Sequence, residues 1–519
     1  MNEKPVDVLG GAPLVAEPNR ARRLFAGWSA KFLQMILGFT QQVALIPVFL
    51  HFWTSEVLAA WLVLYAVGNL ALIADSGLQF RAINRFLAFK TCADCDGRSA
   101  RVYLAMLRIY QGLTLSLFIL LLIGAQLVSP SALLGFQAVA NFDSAFVVMT
   151  AGMLLSLPSG LVSGLYRARG LYGRAVRLQN WGVLAAQLAQ LLAILATGSL
   201  LAVTISYAVM QALTALYFVA IDAPRLFPFL RKARATYSWR WIIGQFRKSA
   251  PFAVAGATEL ALLNMPVLLV SAFVTDRMAV AQWGLTRVIA GLVRQLCVQT
   301  TLPLAAELGH DYAVGLNEQL RCLYSRGSVL VAVQASLVVS GLLPFCSDFL
   351  ALWTHNAIPY DPWLAITLLI GTTLTAPSIL ALGFASYTNR GYLLARAKGL
   401  QLAVFLLLSI LLIPGLGPLG AAIAVVLSDL AIQFGVLGLV IVTQTLERPF
   451  RHLIVLGAVM LAVMLPGWAL GIQISSWLPG SGMMRFAAEC SLWLIAVAAV
   501  ASPILRKSLR TRLIAAIPR

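Results

Sequence analysis

The sequence contains the string YRARGLYGRAVRLQ at residues 166–179 and a related string, YTNRGYLLARAKGLQ, at residues 387–401. Other strings recur in the same order, each about 220 positions after its first occurrence. They are Pro47-Val-Phe-Leu50 with Pro266-Val-Leu-Leu269, Trp61 with Trp283, and Gly198 and Ser206 with Gly420 and Ser428. Ordered, collinear matches of this kind indicate that the chain consists of two homologous halves.

The composition is typical of a membrane protein. Hydrophobic residues make up 60% of the 519 residues and charged residues only 11%, whereas soluble domains carry roughly 25% charged residues. Apolar runs of about 20 residues, long enough to cross a bilayer as helices, recur from residue 24 onward. They are too long and too evenly apolar for the alternating strands of a membrane barrel. The sequence therefore predicts an all-α polytopic membrane protein with about fourteen transmembrane helices.

The repeat and the apolar runs together predict how the chain is organised. We expect a cytoplasmic tail at 1–23, a six-helix lobe at 24–222, a basic cytoplasmic linker at 223–248, a second six-helix lobe at 249–443, two additional helices at 444–505 and a basic tail at 506–519. Because six is an even number, both lobes begin on the same side of the membrane and are parallel repeats. Two similar bundles that rock about a shared site are typical of alternating-access transporters.

The basic residues indicate the orientation of the chain rather than a nucleic-acid partner. The net charge is +19, but a nucleic-acid-binding protein groups Lys and Arg on one soluble face, whereas here they are scattered among short loops. With a cytoplasmic N-terminus, all but four of the 38 basic residues obey the positive-inside rule. Arg277 and Arg485 fall outside, and Arg287 and Arg294 fall inside a span. Both termini are therefore predicted to be cytoplasmic.

Several strings resemble those of a transporter superfamily. They are Pro47-Val-Phe-Leu50 to Trp61, Asp75-Ser-Gly-Leu78, Tyr166 to Gln179, and Ile413-Pro-Gly-Leu-Gly-Pro-Leu-Gly-Ala421. Over residues 24–443 the chain resembles the multidrug/oligosaccharidyl-lipid/polysaccharide exporter superfamily, and within it the polysaccharide transporter family that includes the O-antigen-repeat flippases. The resemblance implies a MATE-like fold of two lobes. The two helices after residue 443 depart from the pattern, because many flippases of this type have twelve.

The resemblance also implies a function in the bacterial inner membrane. A flippase of this family would move an undecaprenyl-pyrophosphate-linked oligosaccharide, the repeat unit of O-antigen, capsule or exopolysaccharide, from the cytoplasmic to the periplasmic leaflet. Its partners would be this substrate, membrane lipids, H⁺ or Na⁺ as a driving ion, and polysaccharide polymerase or export machinery. The alternatives are a lipid II flippase, a multidrug exporter of the same superfamily, and a membrane glycosyltransferase or polymerase. The enzyme is disfavoured because the longest external stretches, 347–361 and 129–141, hold few reactive groups.

Two arginines in the eighth span are the leading candidates for substrate binding. Arg287 and Arg294 are two turns apart and share one helix face with Gly284 and Gly291. Because an ionisable residue in lipid costs about 2.5–3.5 kcal/mol, we expect both to face the cavity between the lobes. There, arginine forks can bind the phosphates of a lipid carrier. The alternative is that Arg294 reaches the cytoplasm and Arg287 pairs with Glu259.

The first span carries a polar stripe. Lys31, Gln34 and Gln41 recur on one face of an otherwise apolar helix. This stripe either lines a hydrated cavity, with Lys31 as a third substrate-binding cation, or serves only to place Lys31 at the near interface.

Acidic and amide residues in other spans complete the candidate site. Glu259 and Asp429 lie near mid-membrane, where a carboxylate can exchange a proton or accept Na⁺, so both are candidates for ion coupling. Pairing with the arginines is the alternative. Asn264, close to Glu259, is a further polar candidate for the cavity.

Catalytic and metal-binding signatures are missing from the sequence. The four histidines are dispersed without metal-ligand spacing, and no phosphate loop, dinucleotide fingerprint or nucleophile elbow occurs. Cys92 and Cys95 are the only close cysteine pair, and no second pair completes a four-ligand zinc site. We therefore expect no catalytic residue, no metal and no cofactor.

The charge asymmetry makes a topological prediction. Alkaline phosphatase fused after Arg512 should be inactive and a fluorescent protein fused there should fluoresce, because the positive-inside rule places the basic tail in the cytoplasm. The control is the same pair of fusions after Leu478, in a predicted external stretch, where the two activities should exchange. Phosphatase activity after Arg512 would contradict the fourteen-span topology.

Overall fold

The computed structural model describes residues 29, 32–75, 77–88, 97–169, 171–232, 239–388, 390–480 and 482–502. Within these ranges the chain forms fourteen long helices and no β-strand. Thirteen of these helices are long and apolar enough to cross a membrane, all except the first. The predicted all-α polytopic architecture is therefore confirmed.

The helices follow the two predicted halves. The first half contains α1 (32–52), α2 (Ser55–Asp75), α3 (Arg98–Leu127), α4 (Phe142–Arg167), α5 (Tyr172–Thr197) and α6 (Leu200–Leu226). The second half contains α7 (Trp239–Phe273), α8 (Arg277–Val314), α9 (Asn317–Thr354), α10 (Pro362–Tyr387), α11 (Gly391–Leu416) and α12 (Pro418–Thr445), followed by α13 (Pro449–Trp477) and α14 (Met483–Ala501). Several helices are longer than the roughly 20 residues of an apolar run, because such a run marks only the part of a helix that lies in lipid.

Local sequence explains where the helices begin and end. The side chains of Thr54, Asp276 and Asp361 accept hydrogen bonds from first-turn backbone amides at the starts of α2, α8 and α10. Gly198 ends α5 with φ +63°, and Gly315 ends α8 with φ +83°. Glycine adopts this left-handed conformation without strain, so the helices stop there.

Packing between helices also follows the repeat. In the first half α6 packs against α4 and α5, and in the second half the equivalent helix α12 packs against α10 and α11. The halves meet where α2 packs against α7 and α8. The sixth helix of each half contains a π-helical segment, Tyr217–Asp222 in α6 and Asp429–Gly438 in α12. The lobe boundaries themselves stay a prediction.

The repeated string of the first half joins three helices. The hydroxyl of Tyr166 in α4 donates a hydrogen bond to Asp222 in α6. Arg174 in α5 places its Nη2 atom 2.5 Å from Asp222 Oδ1. This string is therefore a structural element that fixes α4, α5 and α6 at one end of the first half.

Helices α13 and α14 are attached to the outside of the second half. His452 in α13 is fully buried, and its Nε2 atom lies 2.8 Å from the Ser328 hydroxyl of α9. Trp493 in α14 donates its indole N–H to the Gly467 carbonyl of α13 at 3.0 Å. These two helices therefore add a layer to α9 and do not take part in the repeat.

Candidate functional site

Five charged side chains lie together inside the second half. They are Glu259 of α7, Arg287 and Arg294 of α8, Lys398 of α11 and Asp429 of α12, and we call them the charged cluster. Arg294 places Nη2 3.2 Å from Glu259 Oε2 and Nη1 3.4 Å from Asp429 Oδ2. Lys398 forms a second ion pair with Glu259. The charged cluster therefore connects α7, α8, α11 and α12.

Two glutamines complete the hydrogen bonding of the deepest charges. Lys398 Nζ donates to Gln401 Oε1 at 3.0 Å and to Gln433 Oε1 at 2.6 Å. Gln401 in turn donates to Asp429. Glu259 adds an ion pair to these two hydrogen bonds. Lys398 is thus a buried cation held by two amide oxygens and one carboxylate.

Exposure of the charged cluster falls steeply with depth. The exposed fraction of the side chain is 30% for Glu259 and 26% for Arg294, but 10% for Asp429 and 1% for Lys398. Burial of charge is tolerated only where ion pairs and hydrogen bonds replace the lost water. Glu259 and Arg294 are therefore within reach of the adjoining space, whereas Lys398 is sealed behind them.

Arg287 differs from the other members because it has no acidic partner. Its Nε donates to the Leu263 carbonyl at 3.2 Å, and its Nη2 donates to the Leu262 carbonyl at 3.2 Å. Among the described residues, no carboxylate lies within ion-pair distance of Arg287. The charged cluster has three cations and two carboxylates, so one positive charge remains unbalanced, and it resides at Arg287.

The structure changes two expectations about these residues. Pairing of Arg287 with Glu259, the alternative considered from the sequence, does not occur, because Arg294 and Lys398 hold that carboxylate. The positive-inside rule predicts that Lys398 flanks a span on the cytoplasmic side, as one of the basic residues that obey it. The helix itself begins at Gly391, so Lys398 lies two turns inside it. In the sequence, Lys398 stands three positions before Gln401, so the two share one helix face. This spacing is the signal that could have indicated a buried Lys398.

The two glycines beside the arginines have different surroundings. A Cβ atom on Gly284 would lie 2.5 Å from Leu62 Cδ1 of α2, whereas one on Gly291 would meet no described atom within 4 Å. The face of α8 that carries Arg287 and Arg294 is therefore packed against the first half at one end and open between the arginines. The cavity there has about 50 Å³, which is room for a few water molecules.

A second cavity, of about 650 Å³, lies between α7 and the first half. Five carboxamide side chains line it, and we call it the amide cavity: Gln34, Asn69, Gln79, Gln179 and Gln211. No Lys or Arg among the described residues lines it, and Asp75 is the one charged residue of its described lining. The Asp75 carboxylate accepts a hydrogen bond from Tyr110. The amide cavity is therefore polar, with one carboxylate and no cation among its described lining residues.

The polar stripe predicted on the first span contributes to the amide cavity. Gln34 lines it. Gln41 forms a side-chain hydrogen bond with Tyr207, which lines the same cavity. Lys31, the predicted third cation of the site, lies outside the described residues.

Asn264 joins the halves instead of binding to the arginines. Its Oδ1 atom accepts a hydrogen bond from Asn69 Nδ2 of α2 at 3.5 Å, and its Nδ2 atom donates to the Leu260 carbonyl at 2.8 Å. Because Asn69 also lines the amide cavity, this bond ties the wall of that cavity to α7.

The two cavities occupy equivalent places in the two halves. The separation that relates Ser206 to Ser428 also relates Gln179, Tyr207 and Gln211 to Gln401, Asp429 and Gln433. The first three residues line the amide cavity, and the last three are bonded to Lys398 or to one another. Val176 stands at the position equivalent to Lys398. The halves therefore share two equivalent glutamines, and the second half adds a buried lysine and an aspartate to them.

Metal ligands do not come together in the described part of the chain. No group of three or more His, Cys, Asp or Glu residues within it could hold a metal ion. Cys297, Cys322, Cys346 and Cys490 are free thiols, and Cys92 and Cys95 lie outside the described residues.

Solved structures of membrane transporters share this architecture. The lipid II flippase MurJ in an inward closed conformation gives a TM-score of 0.70 at 10% identity, over 93% of this chain and 100% of that one. This chain has the MurJ- and MATE-like fold. An inward-facing multidrug resistance MATE family transporter of the MOP superfamily gives 0.61 at 14% identity, over 84% and 98% of the two chains. The eukaryotic MATE transporter AtDTX14 gives 0.52 at 15% identity, over 85% and 98%.

At these identities the similarity concerns the fold. No protein-family model matches the sequence, and no curated protein matches it. The two-lobe, MATE-like fold implied by the resemblance of the sequence is confirmed by the solved structures. Membership of the polysaccharide transporter family stays a prediction.

We expect removal of the Lys398 ammonium to destabilise the protein. Lys398→Met removes one of the two cations of Glu259 and leaves two glutamine oxygens without their donor, and breaking a buried ion pair costs about 3–5 kcal/mol. The unfolding temperature in detergent should therefore fall. Adding Glu259→Gln should lower it by less than the sum of the two single effects, because paired residues are energetically coupled.

Lys248→Met is the matched control, because this lysine is exposed. It should leave the unfolding temperature close to that of the unmodified protein. An equally small effect of Lys398→Met would contradict the buried ion pair.

Proposed function

We propose that this chain is a flippase of the bacterial inner membrane, with both termini in the cytoplasm. Its substrate would be an undecaprenyl-pyrophosphate-linked oligosaccharide, such as the repeat unit of O-antigen, capsule or exopolysaccharide. Alternating access between the lobes at 24–222 and 249–443 would carry this substrate from the cytoplasmic to the periplasmic leaflet. The observation that carries the proposal is Arg287, a guanidinium group within a membrane span that forms no ion pair with a carboxylate of the described residues.

The position of Arg287 favours an anionic ligand. Two backbone carbonyls hold two of its N–H groups, and a guanidinium has five donors in total. Its charge lies where lipid would cost about 2.5–3.5 kcal/mol. A phosphate would supply both the missing negative charge and acceptors for the remaining donors, in the bidentate geometry that suits arginine.

Arg294 supports this site in a different way. Glu259 and Asp429 hold it from two sides, so its charge is already balanced and its position is fixed. We infer that Arg294 adds a second donor group on the same face, next to the open space at Gly291, while Arg287 supplies the unbalanced charge. Lys31 stays a predicted third cation.

The present cavity beside the arginines is too small for the substrate. About 50 Å³ admits a few water molecules, whereas a pyrophosphate with its sugar needs far more room. The phosphate would reach Arg287 when the face of α8 moves away from Leu62 of α2, the close contact at Gly284. Separation of the two halves at that contact is the movement that alternating access requires.

The positive charge of the site and the similarity of the fold to MurJ rank the alternative functions. A lipid II flippase is the second candidate, because the MurJ structure covers 93% of this chain at a TM-score of 0.70 and lipid II also carries a polyprenyl pyrophosphate. A multidrug exporter for organic cations is disfavoured, because the charged cluster has a surplus of positive charge. A glycosyltransferase or polymerase would require reactive groups that the charged cluster does not offer.

We further propose that Glu259 and Asp429 couple transport to H⁺ or Na⁺. In this conformation Lys398 and Arg294 supply the positive charge that either ion would bring. Coupling therefore requires the network to open, so that an ion replaces one of these cations on a carboxylate. Partners in polysaccharide polymerisation or export belong to the same proposal.

Substitution of Arg287 tests the proposed function directly. In proteoliposomes, Arg287→Ala should slow the flipping of a fluorescent undecaprenyl-pyrophosphate-linked oligosaccharide about tenfold or more, since a charged hydrogen bond is lost. Arg287→Lys should also slow it, because an ammonium keeps the charge but cannot form the bidentate fork. The measurement is the initial rate of flipping at equal amounts of folded protein.

Arg177→Ala, which removes an exposed arginine, is the control and should flip at the unmodified rate. Competition with lipid II separates the first candidate from the second. If lipid II is the better substrate, it should inhibit flipping of the lipid-linked oligosaccharide more strongly than the oligosaccharide inhibits flipping of lipid II. An unmodified rate for Arg287→Ala would defeat the proposal.

A further inference from the structure

We propose that the amide cavity binds the uncharged sugar of the substrate while Arg287 binds its phosphate. This inference rests on the proposed function and adds a second subsite to it. The ligand class is a neutral hexose or N-acetylhexosamine unit adjacent to the pyrophosphate. The two subsites would together recognise the two chemically different parts of one head group.

The lining of the amide cavity suits sugar hydroxyls. A carboxamide both donates and accepts hydrogen bonds, as a sugar hydroxyl does, and five carboxamides converge on this space. Among the described residues, the Gln179 amide makes no hydrogen bond to the protein, whereas Gln211 bonds Tyr207. Because Asp75 lines the cavity and no described Lys or Arg does, the cavity disfavours a phosphate. Its chemistry therefore selects a neutral, hydroxyl-rich group.

The size of the amide cavity fits such a ligand. Its volume of about 650 Å³ lies within the range of roughly 300–1,000 Å³ that is usual for pockets that bind small molecules. The cavity beside the arginines has about 50 Å³. In this conformation, the space for the bulk of a head group therefore lies on the amide side of α7.

The two subsites are close enough for one molecule to contact both. Gly256 and Leu260 of α7 line the amide cavity, whereas Glu259 and Leu263 line the cavity beside the arginines. Successive residues of a helix differ by about 100° around the axis and 1.5 Å along it. The two spaces thus lie on adjacent sides of one helix, within about two turns, so a sugar in the first places its phosphate near the second.

The repeat supplies an independent reason for this division. Gln179 and Gln211 are equivalent to Gln401 and Gln433, which in the second half are engaged with Lys398 and Asp429. In the first half, Val176 takes the place of that lysine, and no described cation lines the amide cavity. Gln179 and Gln211 therefore face a cavity, whereas their equivalents in the second half are bonded to a lysine.

Binding to the purified protein in nanodiscs tests the two-subsite arrangement. The probes are undecaprenyl pyrophosphate without sugar and undecaprenyl pyrophosphate linked to N-acetylglucosamine. Gln179→Leu and Gln211→Leu remove hydrogen-bonding groups and should each raise the Kd of the glycosylated lipid about fivefold. They should leave the Kd of the sugar-free lipid unchanged, whereas Arg287→Ala should weaken the binding of both.

Gln473→Leu, at an exposed position in α13, is the matched control and should change neither Kd. Kd values are compared only for variants whose unfolding temperature matches that of the unmodified protein. If the unmodified protein binds both lipids equally, or if the two cavity variants weaken both lipids to the same degree, the sugar subsite is wrong. If Arg287→Ala weakens neither lipid, the proposed function fails instead.

Discussion

Charge buried in a membrane-spanning bundle must be neutralised within the bundle, and in this protein the charged cluster meets that requirement. Lys398, with 1% of its side chain exposed, is held by Glu259 and two glutamines. Glu259 also binds Arg294, and Arg294 reaches Asp429. Removal of Glu259 leaves Lys398 without an ion pair, and removal of Arg294 leaves Asp429 without one, which is costly in a medium of low dielectric constant. The positions of α7, α8, α11 and α12 therefore depend on one another.

This arrangement determines what the site can do. Because Lys398 and Arg294 take up both carboxylates, Arg287 keeps its charge without a partner, and it lies on the helix that meets the first half at Leu62. The first half has equivalent glutamines with Val176 in place of the lysine, and it borders the larger amide cavity, whose described lining includes no cation. The two halves thus present a cationic surface and an amide-rich surface on adjacent sides of α7. A head group with an anionic linkage and an uncharged sugar complements both.

Much of the fold follows from the sequence, because the thickness of the hydrocarbon layer sets the length of each apolar run and the repeat sets the order of the halves. The two arginines of α8 could be identified for a similar reason, since charge within a span is rare. Their partners could not be assigned, because α11 and α12 lie more than a hundred positions away and only packing shows which faces meet. Lys398 could not be predicted as part of the site, because a lysine at the edge of an apolar run resembles the ordinary cytoplasmic flank of a helix. The amide cavity could be predicted only in part, from Gln34 and Gln41, because glutamines spread over several helices form no motif.

The most direct test is a cryo-EM structure of the protein in nanodiscs with bound undecaprenyl-pyrophosphate-linked oligosaccharide. This account predicts phosphate density within hydrogen-bonding distance of the Arg287 guanidinium, with Arg294 still bonded to its two carboxylates and the first sugar among the amides of the first half. Phosphate density bound elsewhere, with Arg287 still donating to the carbonyls of Leu262 and Leu263, would contradict it.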